Sequence, residues 1–224
     1  MKKSPDLSIM TIEKTIYFIR HGQSEDNAAP VFQSPDSPLS ELGRWQARRI
    51  AERICKLSPE ALIASPFRRS SETAEIIAKG TGLEVEYSAL FVERIKPTCV
   101  NGKPFVDEAV AAVWRTWEKS LYTPGMRVLD GENFDDIAGR ADEALAFLGR
   151  RAERSLVVVT HGFFLCTVLA RVLLGEMISG ETFRRFQRRT SMENTGLTVV
   201  RRQGRFDEEP DWRLWVYNDH SHLG

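Results

Sequence analysis

Residues 15–27 read T-I-Y-F-I-R-H-G-Q-S-E-D-N, and this stretch decides the fold. An unbroken run of β-branched and aromatic residues at 16–19 ends abruptly at Arg20, His21 and Gly22. Such a run is typical of a strand buried on both faces, as in a parallel sheet covered by helices. Because ligands bind beyond the carboxyl ends of parallel strands, we expect Arg20 and His21 to lie at a binding crevice.

Apolar runs and amphipathic segments alternate along the rest of the chain. Strands are predicted at residues 61–65, 83–89, 155–160, 197–200 and 212–217, with an Arg/Gly/acidic turn between the last two. Apolar positions three and four residues apart predict helices at 41–54, 67–79, 110–121, 134–148 and 163–174. Ser40 is the expected N-cap of the first helix, and Gly80 and Gly82 are expected to end the second. This order predicts an α/β fold, a three-layer sandwich with a mostly parallel central sheet flanked by helices.

One long segment lacks a regular period. Residues 90–104 contain Pro97, Gly102 and Pro104 and match neither a helix nor a strand. Long irregular segments in compact domains are usually functional. We therefore expect an excursion near residues 90–125, including the helix that follows, to cover the site at the sheet edge.

The composition is that of an ordinary globular protein, with 42% hydrophobic and 28% charged residues among 224. Lys and Arg balance Asp and Glu at 31 each, so no net field recruits nucleic acid or an anionic membrane.

The three cysteines form no disulfide framework, and Cys55 and Cys166 fall in apolar helical patterns that predict core positions. Residues 1–13 lack the apolar core of a secretory signal, and no apolar stretch has the length of a membrane span. We expect a cytoplasmic protein with a single domain over residues 1–224.

Charged and polar side chains follow the predicted parallel strands where each one ends. Arg20 and His21 follow the first, Arg69 begins the helix after the second, Glu93 comes after the third, and His161 follows the fourth. Two guanidinium groups suit a phosphate dianion, and an imidazole among cations stays neutral and nucleophilic near neutral pH. A carboxylic acid nearby can protonate a leaving alkoxide. The set favours phosphoryl transfer through a phosphohistidine intermediate.

Short motifs over nearly the whole chain resemble those of the histidine phosphatase (phosphoglycerate mutase-like) superfamily. They are R-H-G with Ser24 and Asn27 at 20–27, P-L-S-E-L-G with Q-A at 38–47, S-P-F-R-R-S-S-E-T-A at 65–74, G-E-N at 131–133, V-T-H-G at 159–162, and N-D with H-L at 218–223. The third motif selects Arg69 rather than Arg68 as the site arginine. Ser70 and Glu72 replace the usual Ala and Gln. The segment after Glu93 lacks the E-R-H-Y-G-x-L-Q-G pattern of cofactor-dependent phosphoglycerate mutases.

The resemblance implies a role for each residue that matches a family motif. It implies that His21 is the nucleophile that takes the phosphoryl group. It implies that Arg20, Arg69 and His161 bind the phosphate oxygens and stabilise the charge of the transition state. Asn27 is implied to add one hydrogen bond to the phosphate.

The resemblance also implies how the leaving group departs. Glu93 is implied to donate a proton to the leaving group and later to help activate water. Gly22 is expected to leave room for the phosphate to approach the backbone. No metal ion and no other cofactor are implied, because side-chain cations neutralise the phosphate. The expected activity is hydrolysis of small phosphorylated substrates, phosphomonoesters, with no role for nucleic acid or a membrane and no signal for an oligomeric state.

Other interpretations stay open. The enzyme could instead pass the phosphoryl group to a second hydroxyl, as a phosphoglycerate mutase does, or the chain could be an inert module that binds phosphorylated ligands. Glu93 could be an exposed loop carboxylate, and His161 alone could be a hydrogen-bonded core histidine. Several other side chains have two interpretations each. Arg68 is either a helix-surface residue or a phosphate ligand, and Trp114 and Trp117 are either packing residues or part of the pocket wall. His220 and His222 belong to a surface tail, unless His222 fixes that tail by a hydrogen bond, and the cluster Arg184, Arg185, Arg188 and Arg189 is either a solvated helix face or a surface that attracts an anionic substrate.

Overall fold

A computed structural model of the chain describes residues 11–204 and 209–224. A six-stranded sheet forms its centre. The strands are β1 (Thr11–Arg20), β2 (Ala61–Ala64), β3 (Val85–Tyr87), β4 (Ser155–Thr160), β5 (Leu197–Gly204) and β6 (Asp211–Asp219). They are ordered β3-β2-β4-β1-β5-β6 across the sheet.

The first four strands in that order run parallel. β1 pairs with β4 so that Arg20 lies opposite Thr160, and β2 pairs with β4 so that Ala64 lies opposite Val159. β5 and β6 are antiparallel to their neighbours. The carboxyl ends of β1, β2, β3 and β4 therefore share one edge of the sheet, as expected for the four strands that the predicted site residues follow.

Six α-helices accompany the sheet within the described ranges. They are α1 (Glu41–Cys55), α2 (Arg68–Thr81), α3 (Glu108–Lys119), α4 (Phe134–Arg150), α5 (Gly162–Leu174) and α6 (Gly180–Gln187). Short 3-10 helices lie at Ala89–Phe91, Thr98–Val100, Gly175–Met177 and Ser221–Leu223. α6 is absent from the predicted set because its polar, arginine-rich sequence has a single buried residue, Phe183.

Successive side chains of the central strands point to opposite faces of the sheet and enter two separate cores. Ile16 and Phe18 of β1 pack with residues of α4 and α5 on one face. Ile19 packs with residues of α1 and α2 on the other face. Burial of these alternating side chains stabilises both layers at once, because each methylene removed from water contributes about 0.8 kcal/mol. The predicted three-layer α/β sandwich with a mostly parallel sheet is confirmed.

Several local predictions agree with the structure and two do not. Ser40 caps α1 by accepting a hydrogen bond from the backbone N–H of Gly43, at 3.0 Å. α2 ends at Gly82, whose φ of 74° suits glycine, but Gly80 is still inside the helix. Cys166 is buried as predicted, whereas the prediction for Cys55 is wrong: this residue is exposed. It follows the buried Ile54 at the last position of α1 and so lies off the apolar face.

No helix in the described ranges has the length and apolar character needed to cross a bilayer. The turn predicted between the last two strands falls partly on residues 205–208, outside the described residues. The expectation that the chain lacks a secretory signal rests mostly on residues 1–10, which also lie outside them.

Candidate active site

His21 follows β1 directly and is buried, with 2% of its surface exposed. Its backbone N–H donates to the carbonyl of Thr160 on β4, at 2.9 Å, which ties it to the neighbouring strand. The ring Nδ1 lies 2.7 Å from the carbonyl oxygen of Gly22. A carbonyl only accepts hydrogen bonds, so Nδ1 carries the proton and Nε2 carries the lone pair. Nε2 accepts a hydrogen bond from Nε of Arg69, at 3.1 Å.

Arg69 lies in the first turn of α2 and is almost fully buried. Nη1 of its guanidinium donates to the carbonyl of Ser34, at 2.9 Å. Arg68, one residue earlier, is exposed and pairs with Glu72 at 2.9 Å. The structure thus places Arg69 beside His21 and leaves Arg68 on the surface, in agreement with the choice between the two arginines that the motif indicates.

Arg20 ends β1 and points its guanidinium to the same edge. Nη1 donates to the carbonyl of Met192. Nε is buried and has no hydrogen-bond partner among the described residues. A side chain at Gly162 would put its Cβ 3.3 Å from this nitrogen, so a glycine after His161 leaves space for Arg20. A buried donor without a partner costs free energy, and an anion bound here would relieve that cost.

His161 follows β4 and is fully buried, with its ring centroid 5.1 Å from that of His21. Its Nε2 lies 2.8 Å from Oγ of Ser65 and 3.3 Å from Oγ of Ser70. Ser65 Oγ accepts a hydrogen bond from Phe67 N–H, at 3.2 Å, so its own proton is free to go to His161 Nε2. This arrangement assigns the ring proton to Nδ1, a buried donor that has no hydrogen-bond partner within the described ranges.

Burial and neighbouring cations keep both imidazoles neutral. Burial first, then the charges of Arg69 and Arg20, hold the pKa of His21 well below its ordinary value of 6.5. The pKa of His161 is lowered well below that value by burial, followed by Arg69. Burial also lowers the pKa of Arg69 to about 10, so its guanidinium stays charged at neutral pH. The site therefore combines neutral imidazoles with fixed cations.

Glu93 lies beyond the 3-10 helix Ala89–Phe91, at the start of the predicted excursion. Its carboxyl group sits at the N-terminus of α5: Oε1 accepts from the N–H of Phe164 at 2.9 Å, and Oε2 from that of Phe163 at 3.2 Å. Arg94 N–H also donates to Oε1, at 2.9 Å. Arg140 donates to the Glu93 carbonyl at 3.3 Å. These contacts fix the carboxyl group and leave Oε2 the less occupied oxygen.

Two adjoining cavities occupy this edge of the sheet. The smaller, of about 210 Å³, we call the phosphate chamber; its lining includes Arg20, His21, Glu93, Gly162 and Cys166. The larger, of about 690 Å³, we call the leaving-group chamber; its lining includes Asn27, Phe32, Glu93, Lys96, Phe105, Trp114 and Trp117. The two share Gln33, Glu93, Phe163 and Gln187. Glu93 therefore stands at their boundary, and residues of the excursion form much of the larger one.

Asn27 is a predicted phosphate ligand on the other chamber; Arg69 and His161 also lie outside the lining of the phosphate chamber, but both contact His21. Asn27 is exposed and lines the leaving-group chamber rather than the phosphate chamber. Its Oδ1 accepts hydrogen bonds from the N–H and the hydroxyl of Ser24, each at 3.2 Å.

A loop before β5 holds His21 and Arg20 in place, and the motifs gave no indication of it. Nδ2 of Asn194 donates to the carbonyl of His21 at 2.8 Å, and the N–H of Thr195 donates to that of Arg20 at 2.9 Å. Thr195 has a φ of 60°, which is uncommon for a residue that is not glycine. Such a conformation is kept where the surrounding contacts enforce it.

The C-terminal tail supplies those contacts. Nε2 of His222 lies 3.0 Å from Oγ1 of Thr195, and His222 is buried. Oδ1 of Asn218 accepts from the N–H of Glu193, at 2.8 Å. Of the two alternatives for this region, His222 thus fixes the tail, whereas His220 is exposed. The N-D-x-x-H-L motif thus supports the loop before β5 and is not part of the lining of the phosphate chamber.

Gly22 has a packing role that its motif does not indicate. A Cβ at this position would lie 2.5 Å from the carbonyl oxygen of Gly43, and a Cβ at Gly43 would lie 1.9 Å from that of Gln23. Both glycines are needed because α1 packs against the loop that follows His21. Gln46 strengthens this contact, since its Oε1 accepts from the N–H of Gln23 at 2.9 Å. The P-L-S-E-L-G and Q-A motif therefore positions the His21 loop.

Two other groups complete the description of the site. Burial raises the pKa of the Cys166 thiol to about 11, so this residue of the phosphate chamber is not a competing thiolate nucleophile at neutral pH. Trp114 and Trp117 line the leaving-group chamber, in agreement with their interpretation as part of the pocket wall. Across the described ranges no three His, Cys, Asp or Glu side chains form a group that could hold a metal ion.

Comparison with known proteins agrees with this architecture. Residues 16–217 match the family model of the histidine phosphatase superfamily (branch 1). A probable phosphoglycerate mutase GpmB of Photorhabdus laumondii is 34% identical over 164 residues, covering 70% of this chain and 74% of that protein. A protein of the same name from Erwinia tasmaniensis is 30% identical over 212 residues, covering 93% of this chain and 94% of its own.

Solved structures show the same fold. A mycobacterial glucosyl-3-phosphoglycerate phosphatase in complex with VO3 has a TM-score of 0.70 at 28% identity, over 92% of this chain and 99% of that one. A phosphoserine phosphatase from Entamoeba histolytica has a TM-score of 0.72 over 94% of this chain and 99% of its own, and at 22% identity it speaks for the fold alone. The family match over most of the chain and the strand-end histidines lead to one conclusion: the chain belongs to branch 1 of the histidine phosphatase superfamily.

Proposed function

We propose that the protein is a metal-independent phosphatase that hydrolyses phosphomonoesters through a phosphohistidine on His21. The observation that carries this proposal is the state of the His21 ring. Its Nδ1 proton is committed to the Gly22 carbonyl, at 2.7 Å, so that Nε2 presents its lone pair beside the buried guanidinium of Arg69. A neutral, oriented imidazole among phosphate-binding cations is an activated nucleophile.

In the first half-reaction Nε2 of His21 attacks phosphorus, and the bond from phosphorus to the ester oxygen breaks. The N–H groups of Arg69 and the unpartnered Nε of Arg20 stabilise the charge on the phosphoryl oxygens. His161 Nδ1–H adds a further donor. The departing oxygen takes a proton from the carboxyl group of Glu93 and leaves as an alcohol.

In the second half-reaction water attacks the phosphohistidine. Glu93, now a carboxylate, accepts a proton from the water, and the bond from phosphorus to Nε2 breaks. Inorganic phosphate leaves, and His21 returns to its neutral form with the proton still on Nδ1. The position of Glu93 at the boundary of the two chambers supports both of its roles.

Charge neutralisation in this mechanism comes from Arg20 and Arg69. Vanadate, which mimics a five-coordinate phosphoryl group, should therefore inhibit the enzyme, and EDTA should leave turnover unchanged. The primary test is release of inorganic phosphate from a panel of phosphomonoesters by the wild type and by His21→Ala. Activity that EDTA abolishes and a divalent ion restores would overturn the metal-independent mechanism.

A phosphoglycerate mutase-type phosphotransferase is the second candidate, and the names of the curated relatives favour it. Such an enzyme would keep the phosphohistidine long enough to pass the group to a second hydroxyl. Incubation with 3-phosphoglycerate separates the two activities: a phosphatase releases inorganic phosphate, whereas a mutase forms 2-phosphoglycerate. The missing E-R-H-Y-G-x-L-Q-G pattern after Glu93 supports the phosphatase.

The third possibility is an inert module that binds phosphorylated ligands. The intact set of Arg20, His21, Arg69 and His161 argues against it, because binding alone does not require a nucleophile. Turnover that His21→Ala abolishes would exclude this module. No turnover over a broad panel, with binding retained, would establish it instead.

A further inference from the structure

If the proposed phosphatase function holds, the position of the leaving-group chamber next to the phosphate chamber determines which part of the substrate it receives. It shares Glu93, Gln33 and Phe163 with the phosphate chamber. A phosphomonoester with its phosphorus at Nε2 of His21 must therefore pass its ester oxygen by Glu93 and place the rest of the alcohol in this chamber. Its volume of about 690 Å³ exceeds what a two- or three-carbon alcohol fills.

A wall of packed aromatic rings forms one side of this chamber. The ring of Phe32 lies 4.7 Å from that of Trp114 at an interplanar angle of 32°, and 4.7 Å from that of Phe105 at 76°. Trp114 in turn lies 4.9 Å from Trp117. Phe163, on the boundary with the phosphate chamber, adds a fifth ring to the lining. These centroid distances are those of stacked and edge-to-face aromatic pairs.

One of these rings is partly exposed to solvent. Phe105 leaves 49% of its surface exposed, although it belongs to the aromatic cluster. A ring of this kind at the edge of a cavity offers a face or edge that a ligand can cover, with a gain from apolar burial and from ring geometry. Trp114 is half-buried, and both rings contact Phe32 and line the chamber.

Several charged groups of the chamber contact the protein itself, although Nη1 of Arg94 has no hydrogen-bond partner among the described residues. The guanidinium of Arg94 stacks on Trp117 at 3.7 Å and lies 3.5 Å from Glu118 Oε1, while Nη2 donates to Ser120 Oγ at 2.9 Å. Asp26 Oδ2 accepts from the N–H of Ser34 at 2.7 Å. Lys96 is less engaged, with one hydrogen bond to the Gln33 carbonyl at 2.7 Å.

From this arrangement we propose that the chamber selects phosphomonoesters whose alcohol carries a planar aromatic ring, which packs between Phe105 and the Trp114 face of the wall. The ring stands a short linker away from the ester oxygen, because Glu93 and Phe163 occupy the passage between the chambers. Phe105 and Trp114 are therefore specificity-determining residues.

Three esters of alcohols with similar acidity test this selection: 2-phenylethyl, 2-cyclohexylethyl and ethyl phosphate. We expect kcat/KM of the wild type for the phenyl ester to exceed that for the cyclohexyl ester by about fivefold. It should exceed that for ethyl phosphate by about tenfold or more. Phe105→Leu and Trp114→Leu should each reduce the phenyl-to-cyclohexyl ratio to about one.

Trp45→Leu is the matched control, because Trp45 is an exposed aromatic residue on α1 outside the chamber lining and its replacement should leave all three values unchanged. Equal rates for the phenyl and cyclohexyl esters in the wild type would overturn the ring proposal. So would ratios that the two chamber variants leave intact. Failure of the proposed function would look different, since none of the three esters would then release phosphate in a His21-dependent way.

Discussion

Nε of Arg69 lies 3.1 Å from Nε2 of His21, although the two residues are 48 positions apart in the chain. This N–H engages the lone pair with which His21 attacks phosphorus in the proposed mechanism. A phosphate that takes over the N–H groups of Arg69 would release this lone pair for attack. In the proposed mechanism, this contact would link substrate binding to activation of His21.

Replacement of Arg69 should therefore cost far more activity than replacement of its neighbour. We expect Arg69→Lys to lower kcat/KM by about a hundredfold to a thousandfold, because an ammonium does not reproduce the forked donors. Arg68→Lys is the matched control: Arg68 is exposed and pairs with Glu72, so kcat/KM should stay within about twofold. Steady-state kinetics on a generic phosphomonoester decide the matter, and equal losses in both variants would contradict the assignment.

The pH dependence of the reaction should reflect a nucleophile that resists protonation. The pKa of His21 is held well below 6.5 by burial and by Arg69 and Arg20. After correction for ionisation of the substrate, kcat/KM should show no decline near pH 6.5 and should fall only well below it, as His21 takes up a proton. A decline of kcat/KM on the acid side with a midpoint at pH 6.5 or above would show that the pKa of the His21 imidazole is not lowered.

The same depressed pKa values also affect stability. Between the folded-state pKa and 6.5 the unfolded chain binds more protons than the folded protein at His21 and His161, so stability rises with pH through this window. Stability is accordingly lost as the pH falls below 6.5 towards the folded-state values. Thermal unfolding measured across this window checks the sign.

Close packing of α1 against the His21 loop should make Gly43 irreplaceable. In Gly43→Ala the new Cβ would lie 1.9 Å from the Gln23 carbonyl oxygen, so the loop must move or the protein must unfold. We expect a loss of at least about 2 kcal/mol in the free energy of unfolding, with loss of activity. Gly139→Ala in α4 is the control: nothing lies within 4 Å, and the helix should gain about 0.5–1 kcal/mol. Similar effects of the two substitutions in denaturant melts would refute this explanation.

Lys96 is a half-buried ammonium that lines the leaving-group chamber and makes no ion pair within 4.0 Å in the ranges that the structure describes. Burial, followed by the charge of Arg69, lowers its pKa from 10.5 to about 8. Lys96→Met should therefore raise the free energy of unfolding at neutral pH by about 1–2 kcal/mol, after allowance for the lost hydrogen bond.

The sign of the pH effect follows from the same values. Between about 8 and 10.5 the unfolded wild type holds more protons at Lys96 than the folded form, so wild-type stability rises and the advantage of the variant shrinks. Lys103→Met, at an exposed lysine, should change little. Melts at neutral and alkaline pH test this, and a Lys96→Met protein that is less stable than the wild type would show that Lys96 contributes favourably.

Much of the fold and the core of the site could be predicted because the signals are local. The apolar runs before Arg20 and His161 mark buried strands, and parallel pairing of β1 with β4 brings their ends together. Arg69 could be chosen over Arg68 from its motif alone, because both arginines lie in the first turn of α2. The strands and this choice need only nearby sequence, whereas the pairing of β1 with β4 was expected from the α/β order of the whole chain.

The remaining features depend on contacts between distant segments. Asn194 supports His21 from 173 positions away, and its sequence neighbourhood has no regular period. Lys96 becomes a chamber residue only because residues 31–34 fold over it and accept its hydrogen bond. The packing role of Gly22 could not be predicted, because close approach of Gly43 is a property of helix packing that local sequence does not show.

The central claim is that His21 carries the phosphoryl group, and a rapid-quench experiment tests it most directly. The wild type is mixed with a phosphomonoester radiolabelled in its phosphoryl group, quenched in base and digested. We predict label on the peptide that contains His21, stable to base and lost in acid, as expected for a phosphohistidine. His21→Ala should take up no label and have no turnover, while it folds with a melting transition like that of the wild type. Turnover that persists in His21→Ala, or label on a different residue, would contradict the account.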